Sequence, residues 1–256
     1  MEIKKFLEFV QNDFEPIKSF YLKDGLDDRI WNDFELDDAI RRKLVEIGQE
    51  AYEETEYKAE IQDIVLCGSL CNYNWDAKYS DFDLHVIIKH SDINPDKETA
   101  GILCDYAKRA WNSRHDIKID GYDVELMIQD VDDLQMAIDT NRMGGVYSLL
   151  NSEWIKKPVR KEFTPDEDAI RSKAENVMTQ LDEVEEMVRD ENPDYKSILI
   201  KLKKAWDKIK KFRQEGMESS EPELSLGNLV FKLLRRNGYI EKVVDLKIEA
   251  YDKQFK

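Results

Sequence analysis

Hydrophobic and polar positions repeat with two different spacings along the chain. Four segments of the first 160 residues have the spacing of amphipathic helices, and they alternate with short apolar segments that repeat every second residue, as strands do. These predicted helices cover residues 2–22, 36–54, 97–111 and 131–139. After Thr164-Pro165, which favours a helix start, the spacing predicts helices alone. They cover residues 166–190, 194–214, 224–236 and 239–253. We therefore predict an α+β fold, with a mixed short sheet flanked by helices in residues 1–160 and a helical bundle domain in residues 161–256.

The most informative segment is residues 61–88, IQDIVLCGSLCNYNWDAKYSDFDLHVII. It reads as two apolar strands joined by a turn and a polar loop, with Gly68-Ser69 ending the first strand and Asp81-x-Asp83 opening the second. The strand period of two places both aspartates on one face with His85. The opposite face is apolar: Phe82, Leu84, Val86 and Ile88. Carboxylates among apolar neighbours are costly unless they are paired or bind a metal, so we predict that Asp81 and Asp83 hold Mg²⁺. His85 either contacts substrate or makes a local hydrogen bond.

A third carboxylate is predicted on a neighbouring strand. Asp120-Gly121 between two alternating segments indicates a tight hairpin. Its second arm, residues 122–128, carries Asp123 and Glu125 on the same face. Glu125 is the preferred ligand, because it lies inside the strand whereas Asp123 lies near the beginning. The predicted helix over residues 97–111 is the natural crossover that brings this strand back to the sheet.

Two features of the chain favour phosphate binding. If a short helix begins at Gly68-Ser69, its free N–H groups and positive end face the space above the strand. A Gly-Ser pair alone is more often an ordinary turn, so this prediction depends on the aspartates that follow. The second helix of the C-terminal domain carries a stripe of lysines: Lys201, Lys204, Lys208 and Lys211. The stripe is either a solvated face or the source of lysines, with Lys201 and Lys204 preferred, that close over a triphosphate. Arg235 and Arg236 are a second basic candidate.

The charge balance is acidic, with 39 Lys and Arg against 55 Asp and Glu and a formal net charge of −16. The acid is concentrated in the front part, since 15 basic residues face 9 acidic ones from Tyr195 onward. Such a front part should repel long nucleic acid, because phosphate binding depends on Lys and Arg that displace counterions. No DNA partner is therefore expected. A small anionic ligand that carries its own Mg²⁺ is repelled less.

The apolar segments and cysteines indicate an intracellular protein. No apolar run has the length of a signal peptide core or a membrane span, so a cytoplasmic location is expected. Cys67, Cys71 and Cys104 lack the spacing of a zinc site. They are predicted to be reduced thiols packed in the core.

Gly68-Ser69, Asp81-x-Asp83 and Glu125, in this order, resemble the nucleotidyltransferase superfamily typified by DNA polymerase β. Over residues 60–130 the chain looks most like the minimal and antibiotic-modifying branch, such as kanamycin nucleotidyltransferase. Two further segments, GVYSLLNSEWIKKP and LGNLVFKLLRRNGYIEK, look like uncharacterised nucleotidyltransferase-like proteins of phage genomes. A phage origin implies the host cytoplasm. The chain departs from many relatives at Leu70-Cys71-Asn72, where they have a glycine.

The resemblance implies a nucleotidyltransferase fold in the N-terminal domain and a reaction that uses two metal ions. Gly68 and Ser69 would bind the β- and γ-phosphates, Asp81 and Asp83 would hold two Mg²⁺ ions, and Glu125 would complete the metal site or act as general base. The implied activity is transfer of NMP from an NTP, with ATP favoured, to a hydroxyl of a small molecule or protein. Two alternatives stay open. One is nucleotide addition to an RNA 3′ end or oligonucleotide synthesis, and the other is a non-catalytic nucleotide-binding or protein-interaction module.

Overall fold

The computed structural model describes residues 15–255, which form two compact units. The sheet unit, residues 22–162, contains eight strands and three α-helices. The helical unit combines residues 15–21 with residues 163–255 and contains four α-helices. The fold is thus mixed, with helices and a mixed sheet. The predicted division into a catalytic domain of residues 1–160 and a second domain of residues 161–256 stays a prediction.

A six-stranded mixed sheet forms the centre of the sheet unit. Its strands are β3 (Asp63–Cys67), β4 (Phe82–Ile88), β5 (Lys118–Ile119), β6 (Tyr122–Asp130), β7 (Val146–Ser148) and β8 (Glu153–Lys156). Their order is β5-β6-β4-β3-β7-β8. Strands β4 and β6 are parallel, and the other neighbouring pairs are antiparallel. A separate small hairpin pairs β1 (Trp31–Asn32) with β2 (Glu35–Leu36).

Three α-helices complete the sheet unit: α1 (Asp38–Glu53), α2 (Lys97–Arg114) and α3 (Val131–Asp139). Each begins after an aspartate whose side chain accepts a backbone N–H of the first turn, namely Asp37, Asp96 and Asp130. The predicted helices over residues 36–54, 97–111 and 131–139 are confirmed, and α2 continues three residues further. Because α2 joins the parallel strands β4 and β6, its predicted role as a crossover is also confirmed.

The alternation of side chains along β4 separates two apolar cores. Phe82, Leu84 and Val86 lie in the larger core, while Ile87 lies on the other face in a smaller core with Val65. The predicted strand faces are therefore correct. The three cysteines are buried, Cys67 in the smaller core and Cys71 and Cys104 in the larger, as expected for core packing.

The hairpin between β5 and β6 has the turn that its sequence predicts. Asp120 and Gly121 both have positive φ, 49° and 88°, as a tight hairpin turn requires. Beyond this short pairing, the outer edge of β6 is bonded by a side chain of α2. The amide of Asn112 donates to Leu126 O and accepts from Leu126 N, both at 3.0 Å. This pair of bonds fixes α2 on the strand that carries Glu125.

The helical unit consists of α4 (Glu167–Val188), α5 (Tyr195–Met217), α6 (Leu226–Arg236) and α7 (Tyr239–Lys253). Their apolar faces form one core, and all four helices were expected from the spacing. Helices α5 and α6 approach closely at Gly227, where a Cβ atom would lie 2.4 Å from Phe212 O. None of the helices within residues 15–255 combines the length and the apolarity that crossing a bilayer requires.

The N-terminal helix predicted over residues 2–22 is only partly covered by the structure. Residues 2–14 lie outside the described residues. Residues Glu15–Phe20 form a 3₁₀-helix rather than a turn of α-helix, and Pro16 has no N–H to continue an α-helical ladder. Ile17 and Phe20 pack in the core of the helical unit. This segment therefore belongs to the helical unit and not to the sheet unit that follows it in the chain.

A buried polar cluster connects the first loop of the sheet unit with β6. Asp27 is fully buried and accepts hydrogen bonds from Arg29 Nε at 3.0 Å, Arg29 Nη2 at 2.7 Å and the hydroxyl of Tyr122. Burial alone would raise the pKa of Asp27, but the hydrogen bonds from Arg29 and Tyr122 outweigh it and lower the pKa. The ring of Tyr122 also meets Phe82 edge to face, with centroids 5.9 Å apart. The cluster thus anchors the start of β6 beside the start of β4.

Replacing Asp27 with alanine is expected to destabilise the sheet unit by about 2–4 kcal/mol, because it leaves a guanidinium and a buried hydroxyl without their acceptor. The folded-state pKa of Asp27 is lowered, so its contribution is present above the unfolded pKa of about 3.9 and is lost as the pH falls through the folded value. Urea unfolding at pH 7 and pH 3 measures both effects. The exposed neighbour gives the control, Asp28→Ala. Equal losses for the two variants at pH 7 would contradict this interpretation.

Candidate metal centre

Three carboxylates meet at one end of the sheet. In the register of the strands, Asp83 lies opposite Cys67 of β3 on one side and opposite Glu125 of β6 on the other. Asp81 immediately precedes β4 and shares the face of Asp83. One carboxylate oxygen from each of Asp81, Asp83 and Glu125 lies within 4.8 Å of the other two. The structure therefore brings together the three acidic residues that the sequence selects.

The three carboxylates are more exposed than one would expect from the apolar residues that flank them in the sequence. Asp81 and Asp83 are half-buried, and Glu125 is exposed. Val124 and Leu126, the apolar neighbours of Glu125 in the sequence, lie on the opposite face of β6 and pack in the larger core, as the strand period predicts. The three charges therefore face a surface that solvent, a cation and a ligand can reach.

Gly68 lies directly against one of these carboxylates. Its backbone has φ 74° and ψ −157°, a conformation that side chains with a Cβ rarely adopt. A Cβ atom on Gly68 would lie 1.6 Å from Asp83 Oδ2 and 2.6 Å from Asp83 Cγ. Only glycine fits this position while Asp83 keeps its orientation. The glycine turn and the acidic cluster are therefore parts of a single structure.

The segment after Gly68 forms a turn and not an α-helix. Ser69–Cys71 are a single 3₁₀ turn of three residues, which ends at the extended residue Asn72. Of the two interpretations of Gly68-Ser69, the structure thus agrees with a turn, and this segment supplies no α-helix dipole. The turn does contain a polar group, the half-buried hydroxyl of Ser69.

Ser80 fixes this hydroxyl, and sequence reasoning missed it. Ser69 Oγ and Ser80 Oγ are 2.8 Å apart, and the backbone N–H of Asp76 donates to Ser80 Oγ at 2.9 Å. The loop thus folds back so that the residue before Asp81 meets the residue after Gly68. A signal was available in the sequence, since Ser80 is a hydroxyl residue directly before the first carboxylate. The contact itself depends on the loop conformation, which no periodicity encodes.

Residues near the start of the sheet unit hold the loop between β3 and β4. Trp31 Nε1 donates to Leu70 O at 2.8 Å, and Trp75 Nε1 donates to Gly25 O at 2.9 Å. The backbone N–H of Lys23 donates to Tyr73 O at 2.7 Å. Because these bonds join the loop to residues outside it, they hold the loop in place beside the strands.

His85 lies two residues beyond Asp83 on the same face of β4 and is buried. Its Nδ1 is 2.7 Å from Gln129 Oε1 and its Nε2 is 3.3 Å from Cys67 Sγ. A neutral ring that donates from Nδ1 to the amide and accepts the thiol proton at Nε2 satisfies all three groups. Burial lowers the pKa of His85, in agreement with a neutral ring. Of the two interpretations of His85, the structure favours a local hydrogen bond over substrate contact.

Asp123, the competitor for the third carboxylate position, pairs elsewhere. Its carboxylate forms an ion pair with Lys118 across the β5–β6 hairpin and is 61% exposed. Glu125, not Asp123, lies in the carboxylate cluster. The geometry thus agrees with the sequence preference for the residue inside the strand.

Replacing Glu125 with glutamine is expected to weaken binding of Mn²⁺ or Mg²⁺ by at least about tenfold, since even the loss of a group that only supports a ligand costs 10- to 100-fold. Asp123→Asn removes the same charge two residues away and should leave the affinity unchanged. Calorimetric titration of each variant with Mn²⁺ measures the difference. If both substitutions weaken binding equally, the effect is one of overall charge and Glu125 is no ligand.

The predicted basic residues belong to the helical unit. Lys201 and Lys204 are exposed on α5, and Lys201 Nζ is 3.3 Å from Met187 Sδ. Arg235 is exposed, whereas Arg236 is half-buried, bonds to Ser19 Oγ and lies over the ring of Phe20 with Cζ 4.8 Å from its centroid. That Lys201 and Lys204 bind a nucleotide stays a prediction.

The donor set of the cluster fits a hard divalent cation. Three carboxylates within 4.8 Å of one another supply oxygen ligands alone, which suit Mg²⁺ and Mn²⁺ rather than a thiolate-binding metal. The nearest sulfur on the same rung, Cys67, is buried and directed at His85. Without a cation the mutual repulsion of three carboxylates is unfavourable, so the site as built favours a bound cation.

Comparison with known proteins gives little beyond this geometry. No protein-family model matches the chain, and no curated protein matches it. Among solved structures, the chain is similar to a STING-associated CdnE c-di-GMP synthase from Capnocytophaga granulosa. The two are 14% identical, with 98% of this chain and 97% of that chain covered and a TM-score of 0.23. A likeness at this TM-score supports no conclusion about fold or function, which rest on the residues of the site.

Chemically, the site combines a cation-binding face with a turn that accommodates another ligand beside it. The carboxylates of Asp81 and Asp83 can hold a cation at the surface of the sheet. The Gly68 backbone lies against Asp83, and the half-buried hydroxyl of Ser69 follows it in the chain. Such an arrangement suits an anion that arrives with its cation, as a nucleotide's phosphates do.

Proposed function

We propose that the chain is a Mg²⁺-dependent nucleotidyltransferase. It would transfer NMP from an NTP, with ATP favoured, to a hydroxyl group of a small molecule or a protein, and release pyrophosphate. The observation that carries this proposal is the contact between the Gly68 turn and Asp83 within a cluster of three carboxylates. The same residues carry the resemblance to the polymerase β-type superfamily.

The residues of the site have distinct parts in this reaction. Asp81 and Asp83 would hold two Mg²⁺ ions, and Glu125 would either complete their ligands or accept the proton of the acceptor hydroxyl. A bound Mg²⁺ pair would neutralise charge on the attacking and leaving oxygens. The acceptor oxygen forms a bond to the α-phosphorus, and the bond from that phosphorus to the pyrophosphate oxygen breaks. The Gly68 backbone and Ser69 hydroxyl hold the β- and γ-phosphates, which positions the donor for attack.

The acceptor class follows from charge. A net charge of −16 disfavours long nucleic acid, so a small molecule or a protein is the preferred acceptor. The exposed lysines of α5 favour RNA 3′-end addition or oligonucleotide synthesis as the second candidate. The non-catalytic module is disfavoured, because all three carboxylates are present and lie together.

The test is incubation of the purified protein with α-labelled NTPs, Mg²⁺ and fractions of host lysate, followed by identification of the labelled product and of released pyrophosphate. Reactions with ATP alone and with added tRNA separate the two candidates, because oligonucleotide or RNA products appear only under the second. A variant in which Asp81 and Asp83 are both alanine is the control. Labelling by that variant at the wild-type rate would refute the proposal.

A further inference from the structure

Helix α6 carries three cationic side chains on one side, and the neighbouring helix α5 carries a fourth. The cationic cluster consists of Arg213 on α5 with Lys232, Arg235 and Arg236 on α6. Asn228, Lys232 and Arg236 are spaced by four residues, so they lie along one stripe of α6. They lie in the basic part of the chain, since 15 basic residues face 9 acidic ones from Tyr195 onward. What distinguishes these four cations from the other basic residues of that part is their set of contacts.

Two of the guanidinium groups are held in place. Arg213 donates to Asn228 Oδ1, and its Cζ lies 5.0 Å from the ring centroid of Phe231. Asn228 is itself buried and donates through Nδ2 to Glu223 O at 3.2 Å. Arg236 lies over the ring of Phe20 and bonds to Ser19 Oγ. Aromatic rings and an amide thus fix these side chains before any ligand arrives, which reduces the entropy that binding costs.

Lys232 sits between these arginines and is half-buried. The pKa of Lys232 is lowered to about 8, chiefly by burial, with the charges of Arg236, Arg235 and Arg213 acting in the same direction and Glu223 opposing them. Glu223 of the short helix Pro222–Leu224 is the one carboxylate among the groups that act most strongly on this lysine. The fold therefore keeps a lysine where its charged form is disfavoured, as binding sites often do and solvated surfaces do not.

We propose that Arg213, Lys232, Arg235 and Arg236 form a binding site for a polyphosphate group. Guanidinium forks and an ammonium suit phosphate oxygens, and several adjacent phosphates can contact several cations at once. The site needs no metal ion and none of the carboxylates of the sheet unit. It goes beyond the proposed function, because a ligand held by this cluster can be recognised whether or not the chain transfers nucleotides.

The decisive measurement is calorimetric titration of the full-length protein with inorganic tripolyphosphate in EDTA at pH 8. Wild-type protein is expected to bind one tripolyphosphate, and Lys232→Met to bind at least about tenfold more weakly. Lys232→Arg keeps the charge and should bind as the wild type does. The control Lys253→Met removes a lysine of α7 that pairs with Glu249 at 2.6 Å, and its affinity should be unchanged.

Proton uptake gives a second readout that a nonspecific charge effect would not produce. With a pKa of about 8, Lys232 is about half protonated at pH 8, so an anion that favours its charged form should draw in up to about half a proton. Titrations in buffers of different ionisation enthalpy measure this number. Wild type should take up protons, whereas Lys232→Met and Lys232→Arg should not. Thermal unfolding without ligand checks the fold, and Lys232→Met should melt no lower than wild type, because it removes a half-buried cation beside three others.

The ligand source is distinguished by a parallel titration with ATP in EDTA. Equal affinities for ATP and tripolyphosphate assign the site to phosphates as such, and tighter binding of ATP assigns it to a nucleotide. Absence of tripolyphosphate binding at millimolar concentration, or equal binding by wild type and Lys232→Met, overturns the proposal. Because these titrations contain no metal and measure no transfer, their failure is distinct from a failure of the nucleotidyltransferase assay.

Discussion

Asp83→Asn is expected to lower the rate of nucleotidyl transfer by about 10³-fold or more, equivalent to about 4 kcal/mol of transition-state stabilisation. Asp83 is the central carboxylate, since it lies in register with Glu125 and against Gly68. Asparagine keeps its shape but removes one negative charge and one oxygen ligand. Rates of label transfer from α-labelled ATP at saturating Mg²⁺ measure the effect, and a Mn²⁺ titration measures the accompanying loss of affinity.

The stability of the Asp83→Asn variant separates a lost ligand from a lost fold. Because the substitution removes charge from a group of three carboxylates, the unfolding temperature without metal should stay the same or rise. Addition of Mg²⁺ should stabilise the wild type more than the variant, since a cation that binds the folded state raises its stability. Transfer by the variant within tenfold of the wild-type rate would show that Asp83 is not essential to the reaction.

Gly68→Ala is expected to lower transfer to a similar extent although it changes no ligand. A Cβ atom at this position would lie 1.6 Å from Asp83 Oδ2, so either the carboxylate or the turn must move. The backbone, with φ 74°, adds strain of about 1–3 kcal/mol for any residue other than glycine. The transfer rate, the affinity for Mn²⁺ and the free energy of unfolding measured in urea should all decrease.

The matched control is Gly121→Ala in the β5–β6 hairpin. Gly121 also has positive φ, 88°, but a Cβ atom there would meet nothing within 4 Å. Gly121→Ala should therefore lose about as much stability as Gly68→Ala, while its affinity for Mn²⁺ and its transfer rate should equal those of the wild type. If the two alanine variants behave alike in transfer, strain in the backbone explains the loss and the contact with Asp83 does not.

The regular parts of the sheet unit could be predicted from the sequence because local pattern determines them. The alternation over residues 82–88 fixes which side chains of β4 share a face, and the Asp120-Gly121 turn fixes the hairpin beside it. Together with the crossover helix, these features were enough to place Glu125 beside Asp83. The selection of three carboxylates from 55 acidic residues depended on strand parity and not on composition.

The parts that could not be predicted depend on contacts between residues far apart in the chain or on irregular backbone. The bond between Ser69 and Ser80 requires the path of the whole loop, which has no repeating pattern. Ile17 and Phe20 pack with helices that follow some 150 residues later, so sequence order assigned them to the wrong neighbours. The exposure of Glu125 also escaped prediction, because apolar neighbours in a strand point away from the residue between them.

Cys67, Asp83 and Glu125 lie in register on three adjacent strands. The distance between the carboxylates of the centre can therefore change only in steps when a strand shifts. Asp83 and Glu125 each lie on a hydrogen-bonded strand, so the position of either carboxylate along the sheet can change only by whole residues. A slip of one residue turns the side chain into the larger core, and a slip of two moves it by about 6.6 Å. Fine adjustment is therefore left to side-chain length, and the exchange of aspartate for glutamate is the smallest change of distance that this architecture permits.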